Sequence, residues 1–425
     1  MKYQKICVLG LGYIGLPTAC TFATHGIEVI GVDINAEIVQ GLQNGHIHIF
    51  EPGLRSLVQN AIQSGKLRFQ PTPEKVDAFI IAVPTPITPE KKADLAAVKA
   101  AAESIVPHLQ RGNLVILEST SPPRTTCDIV APILEKSGLK AGDDFLLAYS
   151  PERVLPGKIL EEIIQNTRVI GGIDKPSASA GKELYSTFVK GDILLTNATT
   201  AEMVKLMENT YRDINIATAN EFAHLADRFG VNAWEAIEIA NRHPRVNILK
   251  PGPGVGGHCI SVDPWFLVEA APDISPLVHT AREVNDGQPG YVVDLMKRKL
   301  GALDGKKICA LGLAYKADID DLRESPAIEI VELLLKEKAA ITVFEPFKPD
   351  GFHGNARAVD TLEDALQDCE IMLLLVAHHQ FTGLDPHNVR QMTTATVAVD
   401  MCGGWQRQAW EAAGFQFLKL GQPSI

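Results

Sequence analysis

The feature that most constrains the fold is a glycine-rich turn between two short apolar strands near the amino terminus. Residues 6–9 form the first apolar run, which continues into Gly10-Leu11-Gly12-Tyr13-Ile14-Gly15. A helical stretch follows to Thr24, and a second apolar strand at 28–32 ends at Asp33. This pattern predicts a βαβ unit, in which parallel strands flank a helix.

The same alternation of strands and helices continues along both ends of the chain. Further apolar strands are expected at 78–83, 114–117 and 145–148, with a helix-like segment at 95–109. A second series begins at 307–312 and continues at 341–344, 371–376 and 397–399. Alternation of this kind predicts parallel sheets covered by helices on both faces.

The middle of the chain is different, because Thr199-Thr200-Ala201-Glu202 resembles a capping box and opens a helical run that ends near Gly230. This run has apolar residues on more than one face, which predicts burial against a partner. We therefore expect an α/β protein with two doubly wound Rossmann-like domains, joined by a central all-helical region with one long helix. The predicted domains are residues 1–196, 197–300 and 301–425.

Composition excludes several classes of function. The net charge is -11, which disfavours nucleic acid and anionic membranes as partners. The longest apolar run is too short to span a bilayer, and residue 1 leads directly into a strand. Seven cysteines without a CxxC pair indicate neither a disulfide framework nor a metal site. We expect a cytoplasmic protein with reduced thiols.

The glycine turn also predicts a cofactor. Gly10, Gly12 and Gly15 match the dinucleotide fingerprint, with the pyrophosphate expected at the amino terminus of the following helix. Asp33 would accept a hydrogen bond from the adenosine ribose. Its carboxylate repels a 2′-phosphate and residues 34–36 contain no arginine, so NAD is favoured over NADP. The alternative is a structural turn in which Asp33 caps a helix.

Cys259 lies at the end of a second glycine-rich turn, residues 251–259, with Asp263 four positions later. A thiol near a nicotinamide suggests oxidation beyond the aldehyde, because a nucleophile must hold the aldehyde while a second hydride leaves. Lys205 and Asn209 are four residues apart on the long helix and would stabilise a developing oxyanion. The alternatives are a cysteine that fills the core and a solvated lysine paired with Glu202 or Glu208.

These motifs together resemble the UDP-glucose/GDP-mannose dehydrogenase family over essentially the whole chain. The resemblance rests on the two glycine turns, Lys205 with Asn209, and five further stretches: 83–86, 118–120, 151–152, 313–316 and 323–326. It implies a nucleotide-sugar 6-dehydrogenase that uses two NAD per substrate. It also implies that the third domain binds the UDP-sugar and that the central domain dimerises.

Carried over by position, the resemblance implies roles for individual residues. Cys259 would be the nucleophile, Lys205 and Asn209 the oxyanion stabilisers, Asp263 and Thr120 the ligands of a catalytic water, and Glu152 the acid/base for thioester hydrolysis. The cofactor would contact Gly10, Gly12, Tyr13, Ile14, Gly15, Asp33, Thr85, Thr120 and Arg323. The substrate would contact Glu152, Arg153, Val154, Lys205, Asn209, Arg212, His243, Arg245, Gly256, His258, Tyr315 and Lys316.

Two departures from the UDP-glucose pattern narrow the expected substrate. Val262 stands where a lysine is usual, and Pro156 stands where a second glutamate is usual. Both are similar to the N-acetylhexosamine branch, so we expect UDP-N-acetyl-D-mannosamine as substrate and its C2 epimer, UDP-N-acetyl-D-glucosamine, as the alternative. A homodimer is expected, with Arg245 reaching the neighbouring active site.

Two other functions remain open from the sequence alone. A two-electron β-hydroxyacid dehydrogenase also pairs a glycine fingerprint with a lysine and an asparagine four residues apart, but needs no thiol. A catalytically silent protein that senses nucleotides through NAD is the other alternative.

Overall fold

The computed structural model describes residues 3–257, 259–349, 351–352 and 354–423. By its internal contacts the chain divides into two compact units. The first extends to Glu208 and includes Trp265–Pro272, and the second contains Asn209–Pro264 and the chain from Asp273 onward. The three-domain boundaries expected from the sequence stay a prediction.

The first unit contains an eight-stranded sheet in the order β3-β2-β1-β4-β5-β6-β7-β8. Its strands are β1 (Lys5–Leu9), β2 (Glu28–Val32), β3 (Leu67–Gln70), β4 (Ala78–Ile81), β5 (Leu114–Leu117), β6 (Leu146–Tyr149), β7 (Arg168–Gly172) and β8 (Ile193–Asn197). Every neighbouring pair is parallel except β6 with β7. Strands β1, β4 and β5 are almost wholly apolar and buried because helices cover both faces of the sheet.

The helices of this unit are α1 (Gly15–Thr24), α2 (Ala36–Gln43), α3 (Leu54–Gln63), α4 (Ala96–Ile105), α5 (Ala131–Leu134), α6 (Ile159–Gln165) and α7 (Lys175–Tyr185). A π-helical turn at Thr126–Val130 leads into α5, and short 3₁₀ turns follow α4 and α5. The register pairs Leu9 with both Val32 and Ile81. The loops that follow β1, β2 and β4 therefore emerge together at one edge of the sheet, where ligands bind in doubly wound folds.

The middle of the chain is helical: α8 (Ala198–Phe229), α9 (Ala233–Ala240), α10 (Asp263–Ala270), α11 (Pro276–Asp286) and α12 (Gln288–Leu300). Helix α8 has 32 residues and ends just before Gly230, as the sequence predicts. Its beginning differs from the prediction. The Asn197 side chain accepts the hydrogen bond from the backbone of Thr200, whereas Glu202 points away and binds residues 124–126. The capping box at Thr199 and Glu202 is therefore wrong.

The second unit contains a six-stranded parallel sheet in the order β11-β10-β9-β12-β13-β14. Its strands are β9 (Lys307–Leu311), β10 (Ala340–Phe344), β11 (Arg357–Ala358), β12 (Ile371–Leu374), β13 (Val397–Asp400) and β14 (Gln416–Lys419). Its helices are α13 (Pro326–Lys336), α14 (Leu362–Leu366), α15 (His379–Thr382), α16 (Pro386–Met392) and α17 (Arg407–Ala412).

The expected fold class, two Rossmann-like α/β sheets with a long central helix, is confirmed. Sequence patterning missed β3, β7, β8, β11 and β14, in which apolar runs are at most three residues long. Among the described residues, no helix has both the length and the apolar character needed to cross a bilayer.

Candidate functional site

Each glycine of the first turn has its own structural reason. Gly10 has a left-handed φ of +92°, and a Cβ there would lie 2.4 Å from the carbonyl oxygen of Ala82. A Cβ on Gly15 would lie 1.8 Å from the carbonyl oxygen of Gly10, so only glycine lets α1 start so close to β1. A Cβ on Gly12 would meet no atom within 4 Å. The backbone at Gly12 therefore faces open space, which a ligand phosphate can approach closely.

Asp33 lies beside this turn and is tied to it. Its Oδ2 accepts a hydrogen bond from the backbone N–H of Leu11 at 3.0 Å, and its Oδ1 accepts one from Asn35 at 2.9 Å. The helix cap of α2 is Asn35 and not Asp33, so the alternative reading of Asp33 as that cap is not needed. The half-buried carboxylate retains lone pairs for a ribose hydroxyl, and Tyr13 and Ile14 are half-buried in the same turn. These residues fit NAD.

The loops after β4 and β5 are joined by one hydrogen bond. The Thr85 hydroxyl donates to the carbonyl oxygen of Thr120 at 2.6 Å, and both residues are half-buried. β1 and β4 are neighbours at the point where the strand order reverses, the usual position of a ligand crevice. The structure therefore places Thr85 and Thr120 at the ligand-binding edge of the first sheet.

Glu152 and Arg153 follow β6 and are both held by side-chain contacts. One Glu152 oxygen accepts a hydrogen bond from the backbone of Arg153 at 2.8 Å, and the other pairs with the guanidinium of Arg168. Arg153 binds both oxygens of Glu208, at 2.6 and 3.0 Å, through two nitrogens. Val154 packs against the apolar core of the unit, so its side chain supports the loop.

The Lys205 side chain on α8 is almost fully buried, with 9% of its surface exposed. Glu202 accepts hydrogen bonds from Arg124 and Thr126, and Glu208 pairs with Arg153. Neither acid forms an ion pair with Lys205, so the solvated-face alternative is wrong. A buried ammonium on a rigid helix is well suited to stabilise negative charge on a ligand.

The glycine turn before Cys259 packs on the loop that follows β9. A Cβ on Gly256 would lie 2.5 Å from the carbonyl oxygen of Glu324, and one on Gly257 would lie 2.9 Å from the Tyr315 ring. Gly257 also has a left-handed φ of +77°, and its N–H donates to the carbonyl oxygen of Arg323 at 3.1 Å. Only glycine permits this close packing. His258 lies outside the described residues.

All seven cysteines are within the described residues, and Cys259 alone is exposed. Burial raises the pKa of Cys7 and of Cys20 to about 12, so both remain thiols. The Cys259 carbonyl oxygen accepts hydrogen bonds from the backbone of Val262 and Asp263, so Cys259 lies in the turn that leads into α10, four residues before its first residue. The core-filling alternative for Cys259 is therefore wrong.

Asp263 connects this turn to the long helix. The Asn209 side-chain amide donates to Asp263 Oδ2 at 2.5 Å, and both residues are buried. The structure thus brings together Asn209, Asp263 and the backbone of Cys259, as a shared site requires. This hydrogen bond fixes the orientation of the Asn209 amide, and with it the direction in which the amide oxygen points.

A buried polar network in the second unit was not predicted. Asp213 binds Arg282 and Asn285, Asn285 accepts from Asn220, and Asn220 accepts from the backbone of Gly252 at 3.0 Å. Burial raises the pKa of Asp213, although the Arg282 guanidinium opposes that shift. This network holds the start of the cysteine turn against α8 and α11. Its partners are distant in sequence, so no local pattern signals it.

The remaining predicted residues lie on the surface of the second unit. The side chains of Arg212, His243, Arg245 and Lys316 are exposed, Tyr315 is half-buried, and Arg323 pairs with Asp321 at 2.5 Å. A cavity of about 1050 Å³ was not predicted; its lining includes Arg242, Lys250, Arg407, Lys419, Trp234 and Trp405. The lining also contains Glu235 and Glu238, so four cations outnumber two acids and favour an anionic ligand such as a phosphate.

Comparison with known proteins agrees with this arrangement. Models of the UDP-glucose/GDP-mannose dehydrogenase family match residues 4–189 (NAD binding domain), 199–287 (central domain) and 309–407 (UDP binding domain). The chain is 47% identical over 424 residues to the UDP-N-acetyl-D-mannosamine dehydrogenase of Methanocaldococcus jannaschii, covering 98% of this chain and 96% of that protein.

Two further relatives cover almost the full length. The NDP-N-acetyl-D-galactosaminuronic acid dehydrogenase of Ralstonia nicotianae is 48% identical over 418 residues, covering 95% of this chain and 97% of that one. The solved UDP-D-ManNAc dehydrogenase of Pyrococcus horikoshii has a TM-score of 0.91 at 39% identity, covering 99% and 100%. The chain therefore belongs to the UDP-glucose/GDP-mannose dehydrogenase family, and its cofactor is NAD.

Proposed function

We propose that this protein oxidises UDP-N-acetyl-D-mannosamine at C6 to UDP-N-acetyl-D-mannosaminuronate in the cytoplasm, with Cys259 as a covalent nucleophile. One observation carries the proposal: Cys259, the exposed thiol among the described cysteines, lies in the turn before α10, and the glycines of that turn pack on the loop after β9. An exposed sulfur can reach a bound substrate, as a covalent nucleophile must.

The chemistry balances as a four-electron oxidation. NAD, when bound, accepts one hydride in each of the two oxidations. Between them, the Cys259 sulfur bonds to the aldehyde carbon and the aldehyde oxygen takes up a proton, giving a thiohemiacetal whose oxidation leaves a thioester. Water then displaces the sulfur as the carboxylate forms. One alcohol, two NAD⁺ and one water yield one carboxylate, two NADH and three protons.

The other predicted site residues serve these steps. The buried Lys205 ammonium and the Asn209 amide stabilise the oxygen that carries negative charge. Asp263 and Thr120 position a water that accepts the hydroxyl proton, and Glu152 acts as acid/base when water attacks the thioester. Gly10, Gly12, Gly15 and Asp33 hold the cofactor, with Thr85 near the nicotinamide. The remaining contacts with substrate and cofactor come from Arg153, Arg212, His243, Lys316 and Arg323.

The choice of sugar rests on relatives and not on a residue that senses the stereocentre. A mannosamine enzyme and a galactosaminuronic acid enzyme are equally similar to this chain, at 47% and 48% identity. The decisive assay compares the UDP-linked N-acetyl derivatives of mannosamine, glucosamine and galactosamine at equal concentration. We expect the highest kcat/KM with the mannosamine derivative, and a higher value for either other sugar would overturn that assignment.

Counting NADH tests the reaction class. With substrate limiting and NAD in excess, the family reaction yields two NADH per sugar. A ratio of one would favour a two-electron β-hydroxyacid dehydrogenase. No NADH from any of the three sugars, with NAD still bound, would favour the silent sensor.

A homodimer is part of the proposal, supported by apolar residues exposed on a single chain. Phe222, Leu225 and Phe229 on α8 remain 40%, 43% and 73% exposed, and they line an apolar groove of about 320 Å³ with Val231 and Ile248. Contiguous exposed apolar surface of this kind marks an association site. The side chain of Arg245 is exposed on the same unit, as a residue lent to a neighbouring site must be.

Mixing two inactive variants tests whether Arg245 acts across the interface. Arg245→Ala and Cys259→Ser each remove one essential group from a different subunit of a shared site. Random reassortment places half of the chains in mixed dimers with one complete site each, so about a quarter of wild-type activity should return. No recovery after subunit exchange would show that Arg245 serves its own chain.

A further inference from the structure

A buried charged cluster lies behind Glu152 in the first unit. Arg168, the first residue of β7, donates from Nη1 to Glu118 at 3.1 Å and to the Ser150 hydroxyl at 3.0 Å, and from Nη2 to Glu152. The Arg168 side chain is only 4% exposed and that of Glu118 is fully buried. One guanidinium therefore joins two carboxylates that follow different strands of the sheet.

Tyr185, the last residue of α7, fixes the other side of the cluster. Its hydroxyl donates to Glu118 Oε1 at 2.8 Å, and its ring lies 4.1 Å from the centre of the guanidinium. The guanidinium is thus held by two acids, one hydroxyl and one aromatic face, which leaves it no alternative orientation. Burying this charge costs free energy, which the two acids and the hydrogen bonds offset.

The cluster holds one cation and two carboxylates. Burial raises the pKa of Glu118 to about 7, with the Arg168 charge opposing the shift and the Glu152 charge adding to it. Its second oxygen, Oε2, is buried and has no hydrogen-bond partner among the described residues. Arg168 and Tyr185 both donate to Oε1, so Glu118 binds the cluster through one oxygen only.

We propose that Arg168 is a positioning residue for Glu152, itself held in place by Glu118 and Tyr185. The Glu152 carboxylate is fixed through both oxygens, by Arg168 on one side and by the backbone of Arg153 on the other. It therefore presents its remaining lone pairs in one direction, as a base that orients an attacking water requires. This inference rests on the proposed function, because it takes Glu152 as the acid/base of thioester hydrolysis.

The test measures which covalent species accumulates, because instability alone cannot produce one. Arg168→Lys keeps the charge but cannot bridge both acids, and Arg168→Met removes the charge. During turnover of UDP-N-acetyl-D-mannosamine by either Arg168 variant, we expect intact-mass spectrometry to show an acyl adduct on Cys259. NADH should appear as a burst of two per subunit, followed by a steady rate lowered about 10- to 100-fold with little change in KM. The lysine variant should retain more activity.

Arg282→Lys is the matched control, because Arg282 is also a buried arginine bound to two acids, Asp213 and Asp286, in the other unit. It should lower the melting temperature and still form two NADH per sugar, with no accumulated adduct. Should both Arg168 variants fail to fold, Tyr185→Phe removes only the hydroxyl contact and should still raise the adduct fraction severalfold.

The Glu152→Gln variant separates the positioning role of Arg168 from the role of Glu152 in hydrolysis. If Glu152→Gln accumulates the adduct and the Arg168 and Tyr185 variants do not, the positioning role is wrong and the proposed function stands. If Glu152→Gln accumulates no adduct, Glu152 does not act in hydrolysis and the positioning role of Arg168 fails with it, whereas two NADH per sugar would leave the proposed oxidation standing. Adduct in Glu152→Gln and Arg168→Lys, but not in Arg282→Lys, is the outcome that supports the inference.

Discussion

In both sheets an acid that follows the second strand is hydrogen-bonded to the loop after the first strand, but the surroundings of the two acids differ. In the first unit, Asp33 follows β2 and accepts a hydrogen bond from Leu11 in the loop after β1. In the second unit, Glu345 follows β10 and accepts hydrogen bonds from Leu313 and Ala314 in the loop after β9, at 2.7 and 2.9 Å. Each acid therefore ties the loop after the first strand to the end of the second strand.

The two acids differ in their exposure and in their other hydrogen bonds. Asp33 is half-buried and open to a ribose, whereas Glu345 is 2% exposed and receives a hydrogen bond from the buried imidazole of His378. The loops differ as well. Gly10 to Gly15 lead directly into α1, whereas residues 312–325 form a longer loop on which the cysteine turn packs. The loop after β1 leaves the backbone at Gly12 open to the cofactor, and the loop after β9 supports the turn that contains Cys259.

The largest effect that tests this contrast is expected at Gly12. A methyl group there meets no protein atom within 4 Å, so Gly12→Ala should leave the melting temperature of the cofactor-free protein unchanged. The methyl group would occupy the space of the pyrophosphate, so NAD affinity should fall on the order of 100-fold. Calorimetric titration with NAD measures the affinity. Unchanged affinity would show that the pyrophosphate does not bind against the backbone at Gly12.

Gly312→Ala is the counterpart in the second sheet, with the opposite signature. Gly312 has a φ of +88°, and a Cβ there would lie 2.5 Å from Val376 Cβ. We expect a loss of about 2 kcal/mol in the free energy of unfolding from strain and overpacking. The NAD affinity of the folded protein should not change. A loss of affinity without a loss of stability would show that the second sheet also serves the cofactor.

A smaller effect distinguishes the two acids. Asp33→Asn should weaken NAD binding about tenfold through the lost charge-assisted hydrogen bond, with little change in stability. Glu345→Gln should instead cost about 1–2 kcal/mol of stability at pH 7, because His378 loses a charged partner.

The pH dependence checks the second expectation. Burial would raise the pKa of Glu345, but hydrogen bonds from His378 and the backbone outweigh it, so the pKa lies below its usual 4.5. An acid with a lowered pKa stabilises the fold above its unfolded pKa and loses that contribution as the pH falls through the folded value. The difference in melting temperature between wild type and Glu345→Gln should therefore shrink below pH 4.5, and a constant difference would contradict the assignment.

The sequence predicted what local spacing determines. The first glycine turn, the apolar strands of both sheets, the long helix and the family resemblance are all confirmed, because short segments carry these signals. The site assignments of individual residues stay predictions. The long-range contacts could not be predicted from local patterns: Arg168 joins residues that follow two other strands, and Asp213 joins residues of α11. Glu202 was misread as a helix cap because its burial depends on residues 124–126, far away in sequence.

The central claim is that the Cys259 sulfur holds the sugar between the two oxidations. The most direct test is uronate formation by Cys259→Ser, measured by chromatography of the nucleotide sugars under saturating NAD and UDP-N-acetyl-D-mannosamine. The account predicts a loss on the order of 10³-fold or more in uronate, with the dissociation constant of NAD within about twofold of wild type. Uronate formed at the wild-type rate would contradict it.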